Sequence, residues 1–265
     1  MTDLWKQIWA MKAPHIAVYS LFLLLILGVL FFKDRIAKRR KLADALRYPI
    51  LLVSFLYVGL YLKSQPTVMN VVIFFNNLKE GSFPLFNLYM LDPFIFLSFI
   101  FIALTMILWG RGGFCGWLCP YGAMLELLNK AYRKLPFSRE LNVPYRLHWK
   151  LVYLKYAVFF VILGASFLSF ALAEYMSEVE PFKTFVLKLK RDWYFVAYFL
   201  FLTVGSVVVY RAFCRYLCPL GGAIALPSLI FPRWIPLRKI PRYELCRKCV
   251  ICAASCGPQA IKRDG

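Results

Sequence analysis

Apolar residues in this chain gather into long runs separated by short basic blocks. Five runs, at 14–32, 45–62, 93–110, 151–173 and 193–210, approach or exceed the roughly 17–25 residues that a helix needs to cross a bilayer. They predict an all-α membrane protein with about five transmembrane helices. Two shorter stretches read differently. Residues 67–78, apolar but carrying Asn70, Asn76 and Asn77, are too short to span and are expected to lie in the interface or re-enter. Residues 121–135 set Glu126, Lys130, Arg133 and Lys134 beside Met124, Leu127 and Leu128, and predict an amphipathic cytoplasmic helix. The first run is followed by Lys33, Asp34 and Arg35 rather than a small-residue cleavage site, so it is expected to remain as an anchor.

Composition agrees, with 61% hydrophobic and 18% aromatic residues against the roughly 45–50% apolar content of a soluble domain. The formal charge of +20 does not signal a nucleic-acid partner, because the basic residues sit between the apolar runs rather than on one polar domain. Lys33, Arg35, Lys38, Arg39, Arg40, Lys41 and Arg47 follow the first run; Arg111, Lys130, Arg133, Lys134, Arg139, Arg146 and Lys150 follow the third. Both blocks read as cytoplasmic. The loop at 63–92 has few charges, and the loop at 174–192 balances Lys183, Lys188, Lys190 and Arg191 with Glu174, Glu178, Glu180 and Asp192, so both read as external. Alternation then places the N-terminus outside and the basic, cysteine-bearing tail from 211 onward inside.

All eight cysteines fall in three clusters. Cys115 with Cys119 and Cys214 with Cys218 form two C-x3-C-P pairs, each following the cytoplasmic end of a span, and FCGWLCPYG matches FCRYLCPLG at an offset of 99 residues. Gln65-Pro66 and Glu180-Pro181 open the corresponding external loops, so two parallel repeats are expected, each an outgoing span, a loop, a returning span and a cysteine pair. A pseudo-twofold axis along the membrane normal would draw the pairs together. Proline suits the first helical turn, which puts Cys119 and Cys218 at N-caps, where open amides and the helix dipole favour a thiolate. Three readings of these four thiols stand side by side. They are packed or disulfide-bonded pairs, which runs against a reducing compartment; a thiol-disulfide relay; or iron ligands, sharing one cluster or dividing between clusters.

The tail carries Cys246, Cys249, Cys252 and Cys256 in a C-x2-C-x2-C-x3-C run, the bacterial ferredoxin spacing with a glycine inserted before the usual proline. A [4Fe-4S] cluster is expected here rather than zinc, whose sites usually split their ligands into two separated pairs. In two-cluster ferredoxins the fourth cysteine serves the other cluster. Cys256 is therefore completed by further chain, by a partner, or by its own cluster. The expected division is an anchor helix and basic loop at 1–44, repeat units at 45–135 and 136–240, and the iron-sulfur segment at 241–265.

The stretch LWGRGGFCGWLCPYGA at 108–123, the second pair and the ferredoxin run together resemble the NosR/NapH family of polytopic membrane iron-sulfur proteins. The resemblance covers nearly the whole chain. It implies an inner-membrane carrier passing electrons between the cytoplasmic face or quinone pool and the periplasm, in support of a respiratory reductase such as nitrous oxide reductase in denitrification. Its implied partners are lipid, redox proteins such as a periplasmic flavin-binding domain or reductase, and a quinone. Flavin within these residues is not expected, since no flavin-binding domain precedes the spans.

A redox-sensing or metal-centre assembly factor, working through dithiol/disulfide chemistry at the C-x3-C-P pairs, is the alternative. A transporter is disfavoured because no buried charge or broken helix is evident at mid-membrane. No nucleophile-base constellation points to bond-making catalysis. His15 and His148 lie at opposite span ends, too far apart to share a haem, and read as interfacial residues; Lys155, a turn inside the fourth run, reads as a snorkelling anchor.

Overall fold

The computed structural model describes residues 4–79, 91–109, 112–136, 141, 143–187 and 189–230, and every regular element among them is helical. The apolar run near the start becomes α1 (Leu4–Phe31), 28 residues with Pro14 inside. At 1.5 Å per residue it is about 42 Å long, more than the roughly 30 Å hydrocarbon core. A short polar α2 (Lys33–Ala37) leads to α3 (Arg40–Val53), which continues as a π-helical stretch (Ser54–Tyr61). Then come α4 (Val68–Lys79) and α5 (Pro93–Leu108), whose N-terminus is capped by Asp92, its carboxylate accepting from the Phe94 amide at 3.1 Å, with Pro93 at the first helical position. The helices α6 (Pro120–Tyr132), α7 (Tyr145–Val152), α8 (Leu154–Leu168), α9 (Phe170–Met176) and α10 (Phe182–Val186) follow. The described chain closes with α11 (Trp193–Val208), α12 (Ala212–Tyr216) and α13 (Pro219–Ile230).

All five apolar runs are thus helical. Trp5–Phe31, Lys41–Tyr61 and Tyr145–Leu168 are long and apolar enough to cross a membrane, while Pro93–Leu108 and Trp193–Val208 are shorter apolar helices. Their outward faces are apolar too: Leu168, Phe201 and Leu21 are 83%, 77% and 67% exposed. Such a surface suits lipid rather than water.

Packing is organised by the two helices that follow the cysteine pairs. Helix α6 lies against the π-helical stretch of its own half and against α11 of the other; α13 lies against α8 of its own half and against α5 of the other. Close approach is needed at both own-half seams. A Cβ on Gly59 would meet the Pro120 ring at 2.7 Å, and one on Gly222 would meet the Lys155 carbonyl oxygen at 2.8 Å. Tyr121, fully buried, is the hub of the core, with Phe182, Phe185, Phe199 and Phe213 around its ring and its hydroxyl 3.3 Å from Thr203 Oγ1.

Two expectations need correction. The 121–135 segment is helical over most of its length, but only its second half lies at the surface, because Tyr121 to Glu126 and Asn129 are buried while Leu128, Arg133, Lys134 and Leu135 are exposed. Lys155 is buried rather than snorkelling, with its Nζ 5.1 Å from the Tyr156 ring. Glu126, Lys155, Glu180 and Arg211, all at or beyond the ends of the apolar runs, are buried at 8%, 4%, 3% and 9% exposure. The extended backbone of Ser169 separates α8 from α9. The stretch expected to lie in the interface or re-enter forms α4, whose Val68 and Val72 are buried against Phe159, Ile162 and Ala173.

Candidate metal centre

The two cysteine pairs adopt one local structure. In the first, Cys115 lies in a π-helical turn (Phe114–Leu118), and the Cys119 amide donates to the Phe114 carbonyl at 3.0 Å. Cys119 leaves the helical region at φ −61°, ψ 114°, and its carbonyl accepts the Ala123 amide at 2.9 Å, which makes it the N-cap of α6 with Pro120 first. In the second, Cys214 lies in α12, the Cys218 amide donates to the Phe213 carbonyl at 2.9 Å, and the Cys218 carbonyl accepts the Gly222 amide at 3.1 Å. The Gly221 amide donates to Cys218 Sγ at 3.3 Å, and the Gly122 amide makes the matching bond to the Cys119 thiol. The expected N-caps are therefore present. None of the four cysteines is disulfide-bonded.

Cys115 and Cys214 act electrostatically on one another and on both N-cap thiols, Cys119 and Cys218. Burial pushes the Cys119 and Cys218 thiols well up and the Cys214 thiol up to about 11, and mutual repulsion among the thiols adds to this. Arg211 acts in the opposite direction on Cys119 and Cys214, as do the Gly122 and Gly221 amides on the N-cap sulfurs. The N-cap was expected to favour thiolates; at Cys119 and Cys218 desolvation outweighs it.

Among the described residues no three His, Cys, Asp or Glu side chains converge as ligands of a single ion. A cubane is held differently, each iron corner taking one thiolate, so its ligands stand around an inorganic core. Two buried and two half-buried thiols from two loops, two amide donors aimed at sulfur and a nearby guanidinium form a donor set that fits such a group. The tail cysteines Cys246, Cys249, Cys252 and Cys256 lie outside the described residues.

A polar shell surrounds this site that the residue pattern did not announce. Glu126 accepts from Arg47 Nε at 2.6 Å and Nη2 at 2.9 Å, from Arg211 Nη2 at 2.6 Å and from the Tyr210 hydroxyl at 3.1 Å. Burial disfavours its ionisation, yet these donors hold its carboxyl below the usual carboxylate range. Arg47 also stacks over Trp117, 4.9 Å from the ring centre. Behind the second pair, His148 Nδ1 lies 2.9 Å from both the Tyr216 hydroxyl and Arg215 Nη2; a guanidinium only donates, so Nδ1 accepts and the ring proton is on Nε2. His148 is thus buried within the protein, while His15 is half-buried with its Nε2 3.5 Å from the Tyr61 hydroxyl.

Gln65 and Glu180 were expected on the face opposite the cysteines. The structure brings them to the cysteine helices instead. Residues 62–67 fold back, the Ser64 amide donating to the Val58 carbonyl at 3.2 Å, and Gln65 Nε2 comes to 4.0 Å from Cys119 Sγ. Glu180 accepts from the Leu220 amide at 3.2 Å and the Val68 amide at 3.0 Å, joining α13 to α4, and burial raises its carboxyl to about 8. The shared Gln-Pro and Glu-Pro steps were the available signal. Their depth was not.

Comparison with known proteins adds three findings. The 4Fe-4S binding domain family matches the chain twice, at residues 91–139 and 192–238. Regulatory protein NosR of Pseudomonas aeruginosa is 42% identical over 265 residues, covering 99% of this chain and 36% of the relative; protein NirI of Paracoccus denitrificans is 38% identical over 260 residues, covering 97% and 37%. Ferredoxin-type protein NapH of Haemophilus influenzae is 25% identical over 178 residues, covering 65% of this chain and 57% of the relative. The chain spans little more than a third of the NosR and NirI relatives. No solved structure matches it.

Proposed function

We propose, for a chain homologous to NosR and NirI along nearly its whole length, that it is a membrane-embedded iron-sulfur electron-transfer unit. Cys115, Cys119, Cys214 and Cys218 hold one cluster between two parallel repeats, and Cys246, Cys249, Cys252 and Cys256 hold a [4Fe-4S] cluster in the tail. When bound, such a cluster supplies one-electron exchange at a potential set by nearby charge, hydrogen bonds and exposure. The observation that carries the reading is the approach of two cysteine pairs from separate loops, with Cys119 and Cys218 buried at the heads of helices packed against both halves of the bundle and Cys115 and Cys214 half-buried in the turns before them.

The residues around the thiols have definable tasks. The Gly122 and Gly221 amides donate to sulfur. The aromatic cluster on Tyr121 excludes water from the floor of the site. The double match of the 4Fe-4S binding domain family supports the repeat, and charge bias supports five spans with a periplasmic N-terminus and a cytoplasmic tail in a bacterial inner membrane. Electrons pass between the cytoplasmic or quinone side and a periplasmic redox partner, in support of a reductase of denitrification such as nitrous oxide reductase. The dithiol relay is the weaker reading, because attack by sulfur needs an accessible thiolate and Cys119 and Cys218 are buried.

The test is anaerobic iron and sulfide determination with EPR on the full chain, repeated on Cys115→Ser and Cys214→Ser. Each substitution should lower iron and remove one EPR signal while a tail signal persists. Unchanged iron in both variants rejects the jointly held cluster.

A further inference from the structure

Arg211 belongs to the loop that enters the second cysteine pair, yet its side chain serves the first. It follows α11 directly, in the left-handed region at φ 52°, and its amide donates to the Ser206 carbonyl at 3.0 Å. From there Nη1 donates to the Cys115 carbonyl at 2.7 Å and Nη2 to Glu126 Oε2 at 2.6 Å. A Cβ built on Gly122 would stand 3.6 Å from Nη1, so the guanidinium lies across the first turn of α6. Glu126 is also gripped by Arg47. One carboxylate therefore faces two guanidiniums, and an unbalanced positive charge remains beside the thiols. That charge acts on Cys119 and Cys214, one sulfur from each pair. Burial of Arg211 keeps water from screening it.

We propose that Arg211 is a positioning residue that ties the two cysteine loops together and, balanced by Glu126, sets the potential at which the centre on Cys115, Cys119, Cys214 and Cys218 takes up an electron. This rests on the reading that these four thiols hold a cluster. A reduced cluster carries one more negative charge than an oxidised one, so the Arg211 cation favours reduction and the Glu126 anion opposes it. Arg211→Gln must lower the midpoint potential and Glu126→Gln must raise it. Damaged folding cannot produce shifts of opposite sign. Arg211→Lys keeps the charge but loses the two-pronged contact, so it should hold the midpoint near that of the unaltered protein while iron occupancy falls.

The experiment is an anaerobic EPR-monitored redox titration of the full chain in detergent, with dithionite supplying one electron per centre and no bond made or broken, alongside iron and sulfide counts. The relevant signal is the one lost in Cys115→Ser. Opposite shifts in Arg211→Gln and Glu126→Gln, with Arg211→Lys close to the unaltered midpoint, establish the inference. Shifts of the same sign, or none, overturn it. If no signal is lost in Cys115→Ser, the failure belongs to the cluster reading beneath it.

Discussion

Gly59→Ala tests the seam that holds Cys119 in place. Gly59 lies in the π-helical stretch, and the added methyl would stand 2.7 Å from the Pro120 Cβ and 3.0 and 3.1 Å from two ring atoms of Phe185. Carbon atoms prefer separations of about 3.5–4.0 Å. Neither neighbour yields easily, since the proline ring begins α6 and Phe185 is packed against Tyr121. Overpacking of this kind costs about 1–3 kcal/mol, and rigid neighbours place it near the upper end. Against this stands the helix preference of alanine over glycine, about 1 kcal/mol. Overpacking wins by about 2 kcal/mol. For a chain of this size that is a fall of about 4–8 °C in unfolding temperature, followed by tryptophan fluorescence at a fixed scan rate in detergent. Gly164→Ala is the control, because no atom lies within 4 Å of its added methyl, and it should leave the temperature unchanged or raise it slightly. If Gly59→Ala proves as benign as Gly164→Ala, the seam is looser than described and Pro120 does not depend on it.

Tyr121→Ala should cost about 3–5 kcal/mol, the range for emptying a buried aromatic site, whereas Tyr121→Phe, losing one hydroxyl contact to Thr203, should cost about 1 kcal/mol; paired thermal melts separate the two. Asp92→Ala removes the cap of α5 and should destabilise by about 1 kcal/mol, with Asp92→Asn recovering most of it in the same assay. Glu178 predicts an acid-side effect. Burial pushes its carboxyl up, but hydrogen bonds from Arg191 at 2.8 Å and Lys183 at 2.9 Å bring it below the ordinary value. Its contribution is therefore complete above the unfolded-state pKa and is lost as pH falls through the lower folded-state value. Melting temperature should fall less steeply across that window in Glu178→Gln than in the unaltered protein; parallel curves would show that these ion pairs add nothing.

The apolar runs were legible because a helix facing lipid needs no polar face, and length alone marks it. The N-caps at Cys119 and Cys218 were legible because proline tolerates only a few positions in a helix. Depth was harder to read. The stretch 121–135 carries the spacing of an amphipathic surface helix, and nothing local shows that Glu126 is instead met by Arg47 and Arg211, 79 and 85 residues away in sequence. Lys155 misled in the same way, since a lysine near a span end snorkels unless another helix covers it, and here Gly222 packs onto its backbone. Gln65 and Glu180 showed their correspondence through the prolines that follow them. Only the fold-back at Ser64 and the bonds from Glu180 to α4 and α13 reveal that they meet the cysteine helices.

Arg211 shows why the site belongs to both halves at once. A non-glycine residue at φ 52° costs on the order of 1–3 kcal/mol and persists only where its surroundings over-determine it. The corresponding position in the first half is Gly112, which could take that backbone without strain. The second half keeps arginine, and its gains lie outside its own loop: the Cys115 carbonyl and Glu126, both of the first half. Ser206 fixes the turn from beneath, its carbonyl accepting the Arg211 amide and its hydroxyl accepting the Phe213 amide, each at 3.0 Å. The same crossing recurs in packing, where each cysteine-headed helix rests on the returning helix of the other half. Backbone strain in one half is thus offset by contacts in the other, so the four sulfurs keep their arrangement only while the halves stay docked.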